Sequence, residues 1–301
     1  MKSSSLRVRS GNLTLAANTY GSPSNPPVLL VHGYPDDSHT WHKIVPLLAQ
    51  DLYVITYDVR GCGRSDVPPD RKHYGLRYLM ADLFAVAQAA SPDRPVHLVG
   101  HDWGSIQSWE AVTEPGAERY LASYTTISGP CLDHVGMGLR KSFKEDPAAS
   151  FNQLLHSWYI GFFHLPFAAP SAWKLGLDRN WPQVVARLEG ITPDPSPQQR
   201  KDGVNGINLY RANILPRLLA PRKRYAQVPV QAIVATRDNY VTEPLLRDLP
   251  LWVEDLRTHR LDTSHWGALL QRHEETAALI RDFVHALEAG TQPAKAVSSG
   301  A

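Results

Sequence analysis

The run Val96-His97-Leu98-Val99 leads straight into Gly100-His101-Asp102-Trp103-Gly104-Ser105, the pattern of a short buried strand that turns sharply into a helix. Small residues two positions either side of Asp102 let strand and helix backbones approach closely, so one strained side chain stands above a parallel sheet. Where such an elbow carries a hydroxyl, acyl transfer follows. A carboxylate instead predicts attack on an electrophilic sp3 carbon, with an alkyl ester on Asp102 as the product.

The rest of the chain supplies a sheet of that kind. Leu6 to Val8 and Leu13 to Ala17 flank Ser10-Gly11-Asn12 and predict an antiparallel hairpin closed by a glycine turn. Val28 to Val31, Tyr53 to Tyr57, Val96 to Val99, Ser123 to Ile127, Val230 to Ala235 and Leu256 to Leu261 are short runs rich in apolar and β-branched residues. Most are separated by helical patterns, as a buried parallel sheet requires. Leu79 to Ala90 and Glu274 to Leu287 carry the apolar spacing of helices packed on such a sheet. The expected fold class is therefore α/β, with a mostly parallel central sheet and helices on both faces.

Between about Leu132 and Ala220 the alternation lapses into a segment rich in Trp, Phe, Tyr and Pro with no clear strand. It predicts an all-helical cap over the carboxyl ends of the strands, where open α/β sheets bind ligands. The expected organisation is a core of residues 1–131 and 221–289, a cap of 132–220, and a disordered tail of 290–301.

A net charge of +2 with 20% charged residues gives no field suited to nucleic acid or anionic membranes, and Arg217 to Arg224 reads as a solvated surface. Cys62 and Cys131 are too few for a disulfide framework and neither sits in a metal-site spacing. With a polar N-terminus and no run long enough to span a membrane, the expectation is a cytoplasmic protein.

A carboxylate nucleophile needs a base that activates water, an acid that orients the base, and an oxyanion hole. In α/β sheets with this elbow the chain order is nucleophile, acid, histidine. Asp238 follows the strand Gln231 to Ala235 in the loop Thr236-Arg237-Asp238-Asn239, and His265 lies in Asp262-Thr263-Ser264-His265-Trp266 after the last strand. Both fall at the strand edge that carries Asp102. The backbone N–H of Trp103 is the expected first oxyanion donor, and the N–H of Tyr34, in His32-Gly33-Tyr34-Pro35, the second. Gly33 permits the tight turn there, and Pro35 fixes the chain, with a cis bond before it as one way to aim that N–H inward. Asp58-Val59-Arg60-Gly61-Cys62-Gly63-Arg64-Ser65 reads as a glycine turn held by Asp and Arg hydrogen bonds, structural support rather than chemistry.

His32 to Pro35, Asp58 to Ser65, Gly100 to Gly104 and Ser264-His265-Trp266, with Asp238 between the last two, together resemble the α/β-hydrolase-fold epoxide hydrolases over nearly the whole chain to about Ala289. The resemblance implies conversion of a small apolar epoxide and water to a vicinal diol, with no cofactor and no metal. It places Tyr159, in Trp158-Tyr159-Ile160-Gly161-Phe162-Phe163-His164-Leu165-Pro166, and Tyr210, in Asn208-Leu209-Tyr210-Arg211-Ala212-Asn213, at the positions of two cap tyrosines that protonate the ring oxygen. Trp103, Trp158, Phe162 and Phe163, with Pro35, would line an apolar substrate tunnel. A homodimer is left open.

Haloalkane and haloacid dehalogenases form the same kind of alkyl-enzyme and share the Trp after the Asp, but commonly have Asn where this chain has Tyr34. A non-catalytic binding protein on the same fold is the remaining alternative, and Asp102, Asp238 and His265 together argue against it. Two departures stand out: Ser264 replaces the Gly most common before the histidine, and Ile191 to Val204 matches no motif.

Overall fold

Eight strands form one sheet in the order β1-β2-β4-β3-β5-β6-β7-β8, seen in a computed structural model that describes residues 3–145 and 158–290; the side chains of 142–145 and 158 lie outside the described residues. The residues expected as a disordered tail beyond Gly290 also lie outside them. β1 (Ser3–Ser10) and β2 (Leu13–Tyr20) make the antiparallel hairpin, turned at Gly11 with φ 56°. β2 pairs antiparallel with β4 (Tyr53–Tyr57). From there β3 (Pro27–Val31), β5 (Val96–His101), β6 (Leu121–Ile127), β7 (Val230–Ala235) and β8 (Leu256–Leu261) continue in parallel. β1 and β2 outrun the apolar runs that predict them. Ser3, Ser4 and Ser5 are exposed yet paired with Tyr20, Thr19 and Asn18, because ladder bonds need backbone groups rather than buried side chains.

Alternation along β3 divides the core in two. Leu29 and Val31 pack with Leu79, Leu83 and Val86 of α2 (Leu76–Ala90) and with Trp109 and Val112 of α3 (Trp103–Val112), whereas Val28 and Leu30 pack with Leu269, Ile280 and Val284 from residues 267–288. Both faces are covered, which is why β3, β4 and β7 read as nearly continuous apolar runs.

Between β6 and β7 the described residues form helices and no strand: α4 (Leu132–Glu145), α5 (Trp158–His164), α6 (Ala168–Ala172), α7 (Asp178–Glu189) and α8 (Gln199–Leu219). This insertion sits on the loops at the carboxyl ends of the strands. The Tyr34 hydroxyl donates to the Gly203 carbonyl at 3.0 Å and accepts from Trp173 Nε1 at 2.7 Å, and Gln199 Nε2 donates to the Pro35 carbonyl at 3.0 Å. Asn213 spans from the Leu76 N–H to the Tyr74 carbonyl. The Gly61–Gly63 turn is held twice, by Asn205 Nδ2 donating to the Gly61 carbonyl and by the Gly63 N–H donating to Asp202 Oδ1 at 3.0 Å.

Burial, reinforced by the negative charge of Asp37, pushes the Asp202 carboxyl up from 3.8 to about 8. Between those values the folded chain holds a proton that the unfolded chain releases. The stability this group contributes is complete below about pH 4 and is lost as pH rises towards 8. Asp202→Asn keeps an acceptor for Gly63, so its advantage over the original chain in urea unfolding should grow from about pH 5 to about pH 8. A difference that stays constant across that range would refute this account.

The expectation of a solvated basic face from Arg217 to Arg224 needs correction. Arg222 holds Asp133 Oδ2 at 2.6 Å and Glu110 Oε2 at 2.7 Å, two carboxylates that are nearly fully buried. Arg224 donates to Thr113 Oγ1, the Glu110 carbonyl and Glu114 Oε2. Nothing local to the run reveals that α3 and α4 bring carboxylates against it. Arg222→Ala would strand both buried acids and is expected to cost about 2 kcal/mol in chemical denaturation; a loss below about 0.5 kcal/mol would class Arg222 with ordinary surface positions.

Candidate active site

Register brings the elements of the site together. Val31 of β3 pairs with Gly100 of β5, so the loops after these strands leave the sheet side by side. A Cβ on Gly104 would lie 2.0 Å from the Val31 carbonyl oxygen, and one on Gly33 would lie 2.4 Å from Asp102 Oδ1; neither site has room for a side chain. Between them Asp102 adopts φ 53°, ψ −123°, a conformation costly for a non-glycine residue and held here by the surrounding packing. Its own N–H donates to the Ile127 carbonyl at 3.1 Å.

Asp102 Oδ1 accepts the Tyr34 N–H at 2.7 Å. The peptide between Tyr34 and Pro35 is cis. Trp103 opens α3, so its N–H is one of the amides left without an intrahelical partner. His32 braces the loop from behind: its Nε2 accepts the Val59 N–H at 2.8 Å, which leaves Nδ1–H to donate to the Gly33 carbonyl at 2.9 Å. Asp58 in turn accepts from the Ser38 and Arg64 N–H groups, while Arg60 turns away to a buried pair with Asp82.

His265 stands between two carboxylates. Its Nδ1 donates to Asp238 Oδ2 at 2.9 Å and its Nε2 lies 3.6 Å from Asp102 Oδ2. Asp238 Oδ1 accepts the Tyr240 and Val241 N–H groups at 2.8 and 2.9 Å. Burial alone would favour a neutral imidazole, but the charge of Asp238 and the bonds to both carboxylates hold the His265 proton affinity well above its ordinary value. Burial also opposes ionisation of Asp238, yet His265 and the two N–H donors hold its carboxyl below the usual range.

Above Asp102 lies a cavity of about 460 Å³. Asp102, Trp103, Tyr159, Tyr210 and Tyr240 line one part of it, and the remainder is apolar apart from His164, built mainly by Ile106, Leu132, Val135, Leu139, Ile160 and Ile214. The Tyr159 and Tyr210 rings are 6.2 Å apart, edge to face. Burial raises the proton affinity of both phenols, and Asp102 raises it further, so each keeps its hydrogen. Phe162, Phe163 and Pro35 are not part of this lining. Phe163 packs behind the tyrosines, 4.7 Å from Tyr210 and 5.3 Å from Tyr34, with Phe162 against it, and Pro35 is engaged through its carbonyl by Gln199. The Trp158 side chain lies outside the described residues.

Residues 26–271 match the family model described as alpha/beta hydrolase fold. The chain belongs to the alpha/beta hydrolase fold family. Among curated relatives, a Mycobacterium tuberculosis protein named "Probable oxidoreductase EphD" is 33% identical over 92% of the chain and 48% of its own length. "Bifunctional epoxide hydrolase 2" of Sus scrofa is 26% identical over 88% of the chain and 52% of its own length. The chain thus spans about half the length of these relatives. A solved epoxide hydrolase mutant from Bacillus megaterium, complexed with its product (R)-3-[1]naphthyloxy-propane-1,2-diol, superposes with a TM-score of 0.75 at 20% identity, covering 93% of this chain and 100% of the other.

Three residues of the site, Asp36, Glu189 and Tyr240, lie outside the motifs, and a fourth, His101, stands inside the elbow motif with no role read from it. His101 Nε2 donates to the His265 carbonyl at 3.1 Å, and burial beside the His265 cation lowers its proton affinity to about 4, so it stays neutral. Asp36 Oδ2 accepts Trp266 Nε1 at 2.8 Å, its carboxyl pushed up to about 7 by burial. Glu189 Oε2 accepts the Trp266 N–H at 3.0 Å. Tyr240 stacks edge-on against His265, ring centroids 5.1 Å apart. Asp36 and Tyr240 sit one and two residues from Pro35 and Asp238, and that proximity is the one cue the sequence holds. Among the described residues no helix is long and apolar enough to cross a membrane.

Proposed function

We propose that this hydrolase opens an apolar epoxide to a vicinal diol through a covalent ester on Asp102. The observation that carries this reading is the shared cavity: a carboxylate backed by a histidine–carboxylate pair faces two protonated phenols across an apolar space. In this reading the helices between β6 and β7 act as a cap that brings the phenols to the core. The porcine relative and the Bacillus structural neighbour, both named as epoxide hydrolases, support it.

An Asp102 oxygen attacks one ring carbon, the carbon–oxygen bond of the ring breaks, and Tyr159 or Tyr210 gives its proton to the departing oxygen. Two phenols share the developing charge. The product is a hydroxyalkyl ester. His265, protonated at rest, first gives its proton to the phenolate; its freed Nε2 then takes a proton from water, whose oxygen adds to the ester carbonyl, and the N–H groups of Tyr34 and Trp103 hold the oxyanion. Collapse breaks the bond between acyl carbon and alkyl oxygen. That oxygen takes the proton that the attacking water left on the Asp102 carboxyl, the diol leaves, and the Asp102 carboxylate and the protonated His265 are restored. Esterification removes the Asp102 charge that helps keep His265 protonated, so the base becomes easier to use once it is needed.

Tyr34 argues against halide release. Its hydroxyl is engaged by Gly203 and Trp173, so its side chain offers nothing to a halide in the cavity. Turnover of styrene oxide, stilbene oxide, a fatty-acid epoxide and a haloalkane should yield diols and no free halide. Halide release with every epoxide untouched would overturn the assignment.

A further inference from the structure

The stretch Ile191 to Val204, on which the proposed reaction places no group, brings Asp194 against the turn Ser38–Trp41 that follows β3. His39 and His42 stack their rings there, centroids 4.8 Å apart and planes 9° apart. Asp194 Oδ2 lies 3.3 Å from His42 Nε2 and 3.9 Å from His39 Nε2. One donor atom from each of the three residues falls within 4.8 Å of the other two.

The His42 ring is set for coordination. Its Nδ1 is 3.1 Å from the His39 carbonyl, which can only accept, so Nδ1 carries the ring hydrogen. A carbonyl holding the far nitrogen in this way fixes the tautomer and turns the Nε2 lone pair outward, the usual backing of a metal-bound imidazole. That lone pair then faces a carboxylate oxygen at 3.3 Å, and two acceptors in contact repel unless a cation lies between them. A proton on each imidazole would put two like charges in stacked rings. One divalent ion satisfies all three donors at once.

We propose that His39, His42 and Asp194 form a surface site for a divalent transition ion of the Zn²⁺ kind, which ties the loop between α7 and α8 to the turn after β3. Two imidazole nitrogens with one carboxylate suit Zn²⁺, Ni²⁺ or Cu²⁺, whereas Mg²⁺ and Ca²⁺ favour oxygen ligands. Metal–ligand lengths of about 2.0–2.2 Å separate tetrahedral donors by roughly 3.4 Å. The contact at 3.3 Å meets that already, and the 3.9 Å contact closes by rotation of the His39 side chain, which is 67% exposed. Water reaches the remaining positions, because Asp194 is 59% exposed. The tie would lie beside the Gln199 to Pro35 bond, adding a further link between insertion and core.

The test is calorimetric titration of untagged, chelator-treated protein with ZnCl₂, alongside His42→Gln and Asp194→Asn. The original chain should take up one ion at this site, and each variant should bind it roughly tenfold or more weakly. At a hundredfold excess over Kd the thermal midpoint should rise by about 4 °C in the original chain, by much less in the variants, and not at all with MgCl₂. Ion-free midpoints of the variants serve as the folding control. No Zn²⁺ uptake by the original chain, or equal affinity and stoichiometry in both variants, would overturn the site, the second result placing the ion on other histidines.

Discussion

His265→Gln should open one epoxide per molecule and then stop. Ring opening needs the Asp102 carboxylate and the phenols, which this change leaves in place, whereas hydrolysis of the ester needs a base on the water. Intact-mass spectrometry after mixing with styrene oxide should show a gain of one epoxide mass, and digestion should place it on the peptide that holds Asp102. Steady-state turnover should fall by roughly two to four decades. Asp102→Ala should gain no mass and show no turnover, since among the described residues Asp102 is the one carboxylate in the cavity lining. An adduct on a different peptide, or near-normal turnover by His265→Gln, would overturn the covalent mechanism.

Tyr159→Phe and Tyr210→Phe should each slow alkylation by roughly one to three decades. Loss of a donor to developing charge in a buried site costs about 2 to 4 kcal/mol in the transition state, at about 1.4 kcal/mol per decade. The change removes one oxygen and keeps the ring, so the edge-to-face contacts of Tyr210 with Trp103 and Tyr34 persist and the thermal midpoint should hardly move. The double variant should be nearly inactive, because either phenol alone still donates a proton and neither substitute does. Single-turnover rates read the effect directly. If both single variants alkylate as fast as the original chain, the tyrosines are packing residues and the epoxide reading loses the feature that separates it from halide release.

Much of this fold is legible in the sequence because its determinants are local. A strand buried on both faces is largely apolar, so the central strands announce themselves, and β4 and β7 begin and end where their apolar runs do. The glycines around Asp102 are needed by contacts between neighbouring turns of chain, so the elbow is visible as spacing. Chain order after the elbow then singles out Asp238 and His265, which the fold brings within 2.9 Å of each other.

Tertiary structure alone decides which distant segments touch. The aromatic content of α5 does not show that Tyr34 and Tyr210 fill the space beside Phe163, so it could not separate lining from backing. Arg222 reads as one more surface cation until α3 and α4 deliver Glu110 and Asp133 to it. The Asp36–Trp266 bond joins residues 230 positions apart, and Asp194 meets two histidines more than 150 positions earlier in the chain. Periodicity records how deeply a face is buried, because burial acts on each residue singly. It carries no record of pairing, because a charge or hydrogen bond depends on a second group whose position is set only when the whole chain has packed.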